Sequence, residues 1–213
     1  PGFLPACHRS LPEGRRWLIF HGVDLARGPD GVIRAYGDRA QSPSGAGYTL
    51  ENRIILARAL PMIYRDAPLR RLASFLETER ATLARLAPHH PENPHVVLLT
   101  PGPSSPVYFE HAYLANYLSL SLVEGEDLVV RDGRVWLKTL GGLRPVDVIL
   151  RRVADALCDP LELRGDSLSG VPGLLQAVRG GRVALANALG SAIVENPGLG
   201  AFLPQLSRHL LGE

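Results

Sequence analysis

The chain has 213 residues, of which 46% are hydrophobic and 21% charged, and its formal net charge is +2. This near balance of charge argues against a nucleic-acid partner, because binding a phosphate backbone needs a concentrated basic patch. No apolar run reaches the length of a membrane span, and Cys7 and Cys158 lack the spacing of a zinc or redox pair, so we expect a cytoplasmic protein with no membrane partner.

The first third of the sequence predicts a β-hairpin followed by two helices. Strand-like runs at 15–26 and 32–37 flank the turn sequence RGPDG, which is typical of a hairpin. Apolar residues then recur every three or four positions over 48–60 and again over 69–86. This spacing predicts two amphipathic helices.

A break in pattern follows the second helix. The stretch APHHPENPH at 87–95 contains three prolines, which end regular structure. Its histidines, His89, His90 and His95, lack the rigid spacing of a metal site, so a solvated linker is the favoured interpretation. We therefore expect one unit over 1–90 and a second over 95–213.

The second unit alternates apolar strands with helices. Apolar runs at 96–100, 146–152 and 183–190 are separated by helix-like stretches that include 108–118 and 172–181. Continuous apolar strands in such an order predict an α/β fold, a small doubly wound, mostly parallel sheet with helices on both faces. Ligands of such sheets bind at the carboxyl ends of the strands.

Polar residues follow several of these predicted strands, and together they suggest a site. Each one also has a structural alternative, because Asn and Ser cap helices, Gly ends strands, and Arg151 has Asp155 nearby as an ion-pair partner. Glu110 with His111 lacks a neighbouring nucleophile, so capping or packing is the commoner role for that pair. The strand-end candidates are Thr100, Gly102, Arg151, Arg152, Asn187, Gly190 and Ser191.

Many short motifs, taken in order, resemble the circularly permuted ATP-grasp family, which includes glutathionylspermidine synthetase-like ligases. The resemblance implies an enzyme that uses ATP and magnesium to activate a carboxylate as an acyl phosphate and then joins it to an amine. Residues 1–90 would then be part of the ATP-grasp core. The motifs are GVDLARGPDG, SPSGAGYTLENR, LTPG, YFEHAYLA, LVEGEDLVVRDGRV, VDVILRR, CDPLELRGDS, GVPGLL and ANALGS.

The resemblance assigns a magnesium site to the hairpin, with one clear departure. Asp24 matches the first ligand of the family pattern, whereas Gly37 and Arg39 stand where a Glu and an Asn are expected. Glycine offers no side-chain oxygen, and a guanidinium repels a cation although it can contact a phosphate. Two of the three expected ligands are therefore missing.

The resemblance also assigns substrate and phosphate binding to the stretch SPSGAGYTLENR. Small residues there let backbone amides approach an anion closely, and Arg151 or Arg152 would hold the substrate carboxylate or the developing phosphate charge. The alternative is a tight turn and a helix start with solvated residues in its first turn. The residues concerned are Ser44, Gly45, Gly47, Tyr48, Glu51, Asn52 and Arg53.

The family clamps nucleotide with lysines on a lid segment, and here Lys138 is the only lysine. Because Lys138 lies in a predicted hairpin of the second unit, we expect the clamp to belong to the remainder of a longer parent chain and ATP with magnesium to bind weakly or not at all. Two functions stay open. The chain is either part of a carboxylate–amine ligase with small-molecule substrates, or a catalytically inactive binding or assembly module.

Overall fold

A computed structural model describes residues 2–12 and 14–212, so the outer limits of the two predicted units, Pro1 and Glu213, lie outside the described residues. The elements are β1 (Gly22–Arg27), β2 (Ile33–Arg39), α1 (Ala46–Ala59), α2 (Pro61–Asp66), α3 (Ala73–Arg85), β3 (Val96–Leu99), α4 (Tyr108–Leu118), β4 (Ser121–Val123), β5 (Leu128–Arg131), β6 (Arg134–Thr139), β7 (Gly142–Pro145), β8 (Val148–Arg151), α5 (Leu174–Arg179), β9 (Ala184–Ala186) and α6 (Leu203–Leu211).

The centre of the fold is a four-stranded parallel sheet in the order β4–β3–β8–β9. The predicted α/β class with a parallel sheet is therefore confirmed. The chain runs from β3 to β4 on one side and then crosses to β8 on the other, so the strand order reverses between β3 and β8. In open sheets of this kind, a crevice for ligands forms outside the carboxyl ends of the strands at that reversal.

Two apolar cores cover the two faces of this sheet. Alternate strand residues point to opposite faces, so Val97 and Leu99 join one core while Leu98 joins the other. The first core contains α5 and the strands β5 and β6, and the second contains α1, α3 and α4. Burial on both faces explains why the strands read as continuous apolar runs.

The hairpin predicted at 128–140 has a third strand that the sequence did not predict. Strands β5, β6 and β7 form an antiparallel sheet in that order. Every residue of β7 is exposed, and the strand starts at Gly142 and ends at Pro145. Such a strand carries no alternating apolar signal, and both terminal residues are typical of turns, so sequence periodicity missed it.

The first hairpin strand was predicted from residue 15, whereas the structure starts it at Gly22. Residues 17–20 instead bind the end of β9: Ala188 N donates to Trp17 O at 3.1 Å. The amides of Ile19 and Phe20 donate to the Asn187 side chain at 2.7 and 2.9 Å. Residues 17–20 are thus an irregular segment held by tertiary hydrogen bonds, and an apolar pattern in sequence cannot distinguish such a segment from a strand.

The two predicted units share one core. Leu50 of α1 and Leu76 of α3 pack in the same cluster as Leu98 of β3 and Leu114 of α4. The boundary between two separate units at 90–95 stays a prediction. Among the described residues, no helix combines the length and apolar character needed to cross a membrane.

Candidate functional site

Polar side chains gather where the strand order reverses, at the carboxyl ends of β3 and β8. Thr100 follows β3, and its Oγ1 lies 2.9 Å from Nδ1 of His111 on α4. The same oxygen accepts the amide of Gly102 at 3.2 Å. Thr100 and His111 are 1% and 2% exposed. Two of the predicted residues, Thr100 and Gly102, thus support each other and a buried imidazole.

Burial, with a smaller contribution from Arg152, lowers the pKa of His111 from 6.5 to about 4. A group whose pKa is lower in the folded state takes up a proton preferentially in the unfolded state, so stability is lost as pH falls from 6.5 towards 4. A difference of about 2.5 in pKa corresponds to at most roughly 3 kcal/mol at the acid end.

We expect His111→Gln to reduce this loss of stability with acid. The comparison between variant and wild type is needed because burial raises the pKa of Glu79 and of Asp155, whose protonation in the folded state acts in the opposite direction. Urea unfolding at pH 7 and at pH 4.5 measures how much the free energy of unfolding changes with pH in each protein. Equal loss of stability in the two proteins would show that His111 does not titrate as described.

The glycine loop, residues 43–47, lies against α4 and the end of β8. Two of the amides in the predicted anion-binding turn are already bonded to a carboxylate: Gly45 N and Gly47 N donate to Oε1 of Glu110 at 2.5 and 3.1 Å. Gly45 has φ of 110°, and a Cβ added to Gly47 would lie 2.9 Å from Glu110 Cγ. The two glycines are therefore required by backbone conformation and by close packing.

Arg152 holds the glycine loop from the side of the sheet. Its guanidinium donates to the carbonyl oxygen of Pro43, and its backbone amide donates to Leu99 O at 2.7 Å. Burial lowers the pKa of Arg152, while the nearby carboxylates of Glu79 and Glu110 raise it. The predicted catalytic role of this arginine stays a prediction; what the geometry shows is a connection between loop and sheet.

Arg151 lies at the centre of a second, fully buried network. Its Nε donates to Asn187 O at 2.7 Å, and its two Nη atoms donate at 3.0 Å to the carbonyls of Val153 and Ala188 and to Ser191 Oγ. The guanidinium also forms an ion pair with Asp155.

Asp155 in turn accepts the amides of Gly190 and Ala192 at 3.0 and 2.9 Å. The ion pair with Asp155, which was the structural alternative for Arg151, is thus present. Gly190 and Ser191 belong to the same network. With 0% exposure, Arg151 has no surface for a ligand in this conformation.

Asn187 joins the end of β9 to the first third of the chain. Its Oδ1 accepts the amides of Ile19 and Phe20, and its Nδ2 donates to Phe20 O at 2.7 Å and to Ala40 O at 2.5 Å. The side chain therefore uses two acceptor and two donor positions, and it is 1% exposed.

The remaining residues of the predicted phosphate stretch lie on α1 or just before it. Ser44 and Asn52 are exposed, and Tyr48 contacts the ring of Phe109 with centroids 5.9 Å apart. Burial raises the pKa of Tyr113, and the neighbouring Glu51 raises it further. Arg53 is half-buried, and its Nη1 has no hydrogen-bond partner.

Asp24 faces the two positions at which the sequence departs from the family pattern. It pairs with Gly37 across the hairpin, and a Cβ at Gly37 would lie 3.0 Å from Asp24 Oδ2. The same oxygen binds Arg39, at 2.9 Å from Nε and 2.7 Å from Nη2. The carboxylate is thus neutralised by a guanidinium.

Comparison with known proteins decides the family. All residues, 1–213, match the family model for circularly permuted ATP-grasp type 2. The chain belongs to this family. The sequence resemblance is therefore confirmed at the level of the family.

Relatives carry the same region within longer proteins. An uncharacterised protein of Mycobacterium tuberculosis is 46% identical over 213 residues, which are 100% of this chain and 24% of that protein. One of Synechocystis sp. is 41% identical over 212 residues, 100% of this chain and 44% of the relative. One of Mycobacterium leprae is 38% identical over 202 residues, 95% of this chain and 36% of the relative. The chain thus spans less than half the length of these relatives.

Circularly permuted ATP-grasp proteins are expected to hold ATP and magnesium, and the residues of this chain do not fit the metal. In the described ranges 2–12 and 14–212, no group of three or more His, Cys, Asp or Glu side chains is arranged to bind an ion. At a nucleotide, magnesium is held by one or two carboxylates together with phosphate oxygens and water. The carboxylate that the resemblance assigns to it here, Asp24, is bound by Arg39.

Sequence reasoning did not identify the buried carboxylates Glu79 and Glu110 as neighbours of Arg152, nor Glu110 as the partner of the glycine loop. Glu79 was detectable, because it lies between Leu76 and Leu83 on the apolar face of α3 and is 5% exposed. A charged residue on a buried helix face needs a partner, which is a signal in itself. For Glu110 the sequence predicted only capping or packing. Its partners are the amides of Gly45 and Gly47, which lie more than sixty residues earlier in the chain.

Proposed function

We propose that this chain forms the substrate-side wall of an ATP-dependent carboxylate–amine ligase-like protein acting on a peptide- or amino-acid-like substrate. Within that protein the chain positions strand-end loops and does not itself hold the nucleotide. Family membership over the whole chain supports the first statement. The second rests on the ion pair between Asp24 and Arg39, which occupies the carboxylate assigned to magnesium.

We expect calorimetry of this chain with ATP and magnesium to give no dissociation constant below about 10 μM, an affinity of roughly 7 kcal/mol. We also expect Asp24→Asn to leave the titration unchanged, since Asp24 is bound to Arg39 rather than free for a cation. Tight binding that Asp24→Asn abolishes would contradict the proposal. The variant Gly37→Glu, Arg39→Asn restores the family pattern and tests whether the missing ligands suffice.

A second candidate, an inactive binding or assembly module, is favoured by a cavity formed by the first part of the chain and by residues 190–194. This cavity has a volume of about 330 Å³ and is lined mainly by apolar side chains, among them Phe3, Trp17 and Ile193. Its size lies at the lower end of small-molecule sites, roughly 300–1,000 Å³. ADP formation that depends on added carboxylate and amine, measured on a longer protein that carries this region, supports the ligase; its absence with every such pair favours the module.

A cytoplasmic location is part of the same proposal. Cys7 and Cys158 are both buried and unpaired, which fits a reducing compartment.

A further inference from the structure

The glycine loop has the features of an anion site, and a carboxylate of the same chain occupies it. Amides at the start of a helix attract negative charge, because they lack partners within the helix and lie at the positive end of its dipole. Here the amides of Gly45 and Gly47, at the start of α1, both point to one carboxylate oxygen. That oxygen belongs to Glu110, which comes from α4, about sixty residues further along the chain.

The carboxylate is enclosed. Glu110 is 1% exposed, and its second oxygen, Oε2, is buried without a hydrogen-bond partner. Two further buried atoms nearby have no hydrogen-bond partner, Oε2 of Glu79 and Nε of Arg152. Burying a polar atom without a hydrogen-bond partner costs free energy. A carboxylate in that state must gain enough from its other contacts to offset the cost. For Glu110 those contacts are with the two loop amides.

Opposite charges hold the two sides of the loop. Glu110 accepts from the amides of Gly45 and Gly47, while Arg152 donates to the carbonyl of Pro43 just before them. The loop therefore needs no ligand to be ordered. An external phosphate or carboxylate that approached these amides would meet the negative charge of Glu110 already in place.

We propose that the glycine loop is an anion-binding loop whose anion is the carboxylate of Glu110, so that an external oxyanion binds the loop only when this carboxylate is withdrawn. The proposal goes beyond the ligase assignment and does not depend on it. Glu110 is a positioning residue in this proposal, since it acts on the loop and not on reacting atoms.

The test replaces the internal anion by an external one. We expect Glu110→Ala to lower the melting temperature by about 4 °C or more, because loss of a buried charged hydrogen bond is a large change for a domain of this size. Sodium formate should recover at least half of this loss, and sodium chloride at equal ionic strength should recover none. Wild type and the exposed-site control Glu77→Ala should respond equally to the two salts. Inorganic phosphate, tested in parallel, shows whether the vacated site also takes a larger oxyanion.

Hydrogen exchange at Gly45 and Gly47 provides the second measurement. Both amides should be protected in wild type and in Glu110→Gln, whose side-chain oxygen still accepts; in Glu110→Ala they should exchange faster in chloride and slow again in formate. Equal melting temperatures of Glu110→Ala in formate and chloride, with unchanged exchange, would overturn the proposal. Should Glu110→Ala fail to fold in chloride, its folding yield in formate decides: recovery supports the internal anion and no recovery contradicts it.

Discussion

Arg151→Ala is expected to lower the free energy of unfolding by about 3–5 kcal/mol, because removal of one partner of a buried ion pair leaves the other charge uncompensated. The remaining charge is Asp155, which is 2% exposed and cannot reach water without opening the network. Three carbonyl groups, of Asn187, Val153 and Ala188, lose their donor as well. Since whole domains are stable by about 5–15 kcal/mol, this one change removes a large share of the total.

A double-mutant cycle with Asp155→Asn identifies the source of the loss. The asparagine oxygen can still accept from the amides of Gly190 and Ala192, while its Nδ2 replaces the oxygen that faces Arg151. This variant therefore removes both the charge and the acceptor of the guanidinium. We expect the double variant to be less destabilised than the sum of the two single variants, with a coupling of about 1–3 kcal/mol. Denaturant unfolding monitored by circular dichroism measures all four proteins.

The matched control for this cycle is Arg58→Ala, on the exposed surface of α1. We expect this change to stay within about 0.5 kcal/mol of wild type, as is usual for surface substitutions. If Arg151→Ala were as mild as Arg58→Ala, the buried network would not support the fold, and the ligand role assigned to Arg151 by family resemblance would regain weight. Strong additivity in the cycle would also argue against the ion pair with Asp155.

Most polar side-chain atoms of the strand-end residues are used within the protein, with Nε of Arg152 as an exception. Arg151 and Asn187 bond to backbone groups, and Thr100 contacts His111. Strands β3, β8 and β9 are parallel, so these residues follow strands at the same edge of the sheet, and their partners there are other parts of the same chain. A ligand at this edge must therefore bind to what is left exposed, such as Ser44, or displace an internal partner such as Glu110.

The parallel sheet and α4 were predictable because their signals are local. Val96–Leu99 and Val148–Arg151 are buried on both faces and read as apolar runs, and Tyr108–Leu118 has both the length and the composition of a helix. The Gly45 turn was also predictable, since a positive φ there favours glycine. These features depend on residues close together in sequence.

The hydrogen-bond partners of the site were not predictable, because they depend on contacts between distant residues. Nothing in the sequence near Gly45 indicates that Glu110 will accept from its amide, or that Arg152 will donate to Pro43. The residue types were consistent with either a ligand site or a structural network, since both use the same donors and acceptors. Only the three-dimensional arrangement shows which partner each group has.

Asn187→Ala is the second change for which we expect a large effect, about 3–4 kcal/mol, since it removes four hydrogen bonds that contribute about 1 kcal/mol each. Two of them hold the amides of Ile19 and Phe20, and two hold the carbonyls of Phe20 and Ala40. Without them, segment 17–20 loses most of its connection to the end of β9. We therefore expect faster hydrogen exchange at Ile19 and Phe20, in addition to a lower midpoint of urea unfolding.

Asn187→Asp separates the hydrogen-bond account from a simple effect of side-chain size, because it keeps the volume and changes the donors. Its second oxygen would face the carbonyls of Phe20 and Ala40, to which Nδ2 now donates, and it would bury a charge without a partner. We expect this variant to be at least as destabilised as Asn187→Ala, whereas Asn52→Ala, at an exposed position of α1, should remain within about 0.5 kcal/mol of wild type. A loss below about 1 kcal/mol in Asn187→Ala, with exchange at Ile19 unchanged, would mean that this side chain does not join the two parts of the chain. In that case Asn187 would be free for the substrate role that the strand-end position suggests.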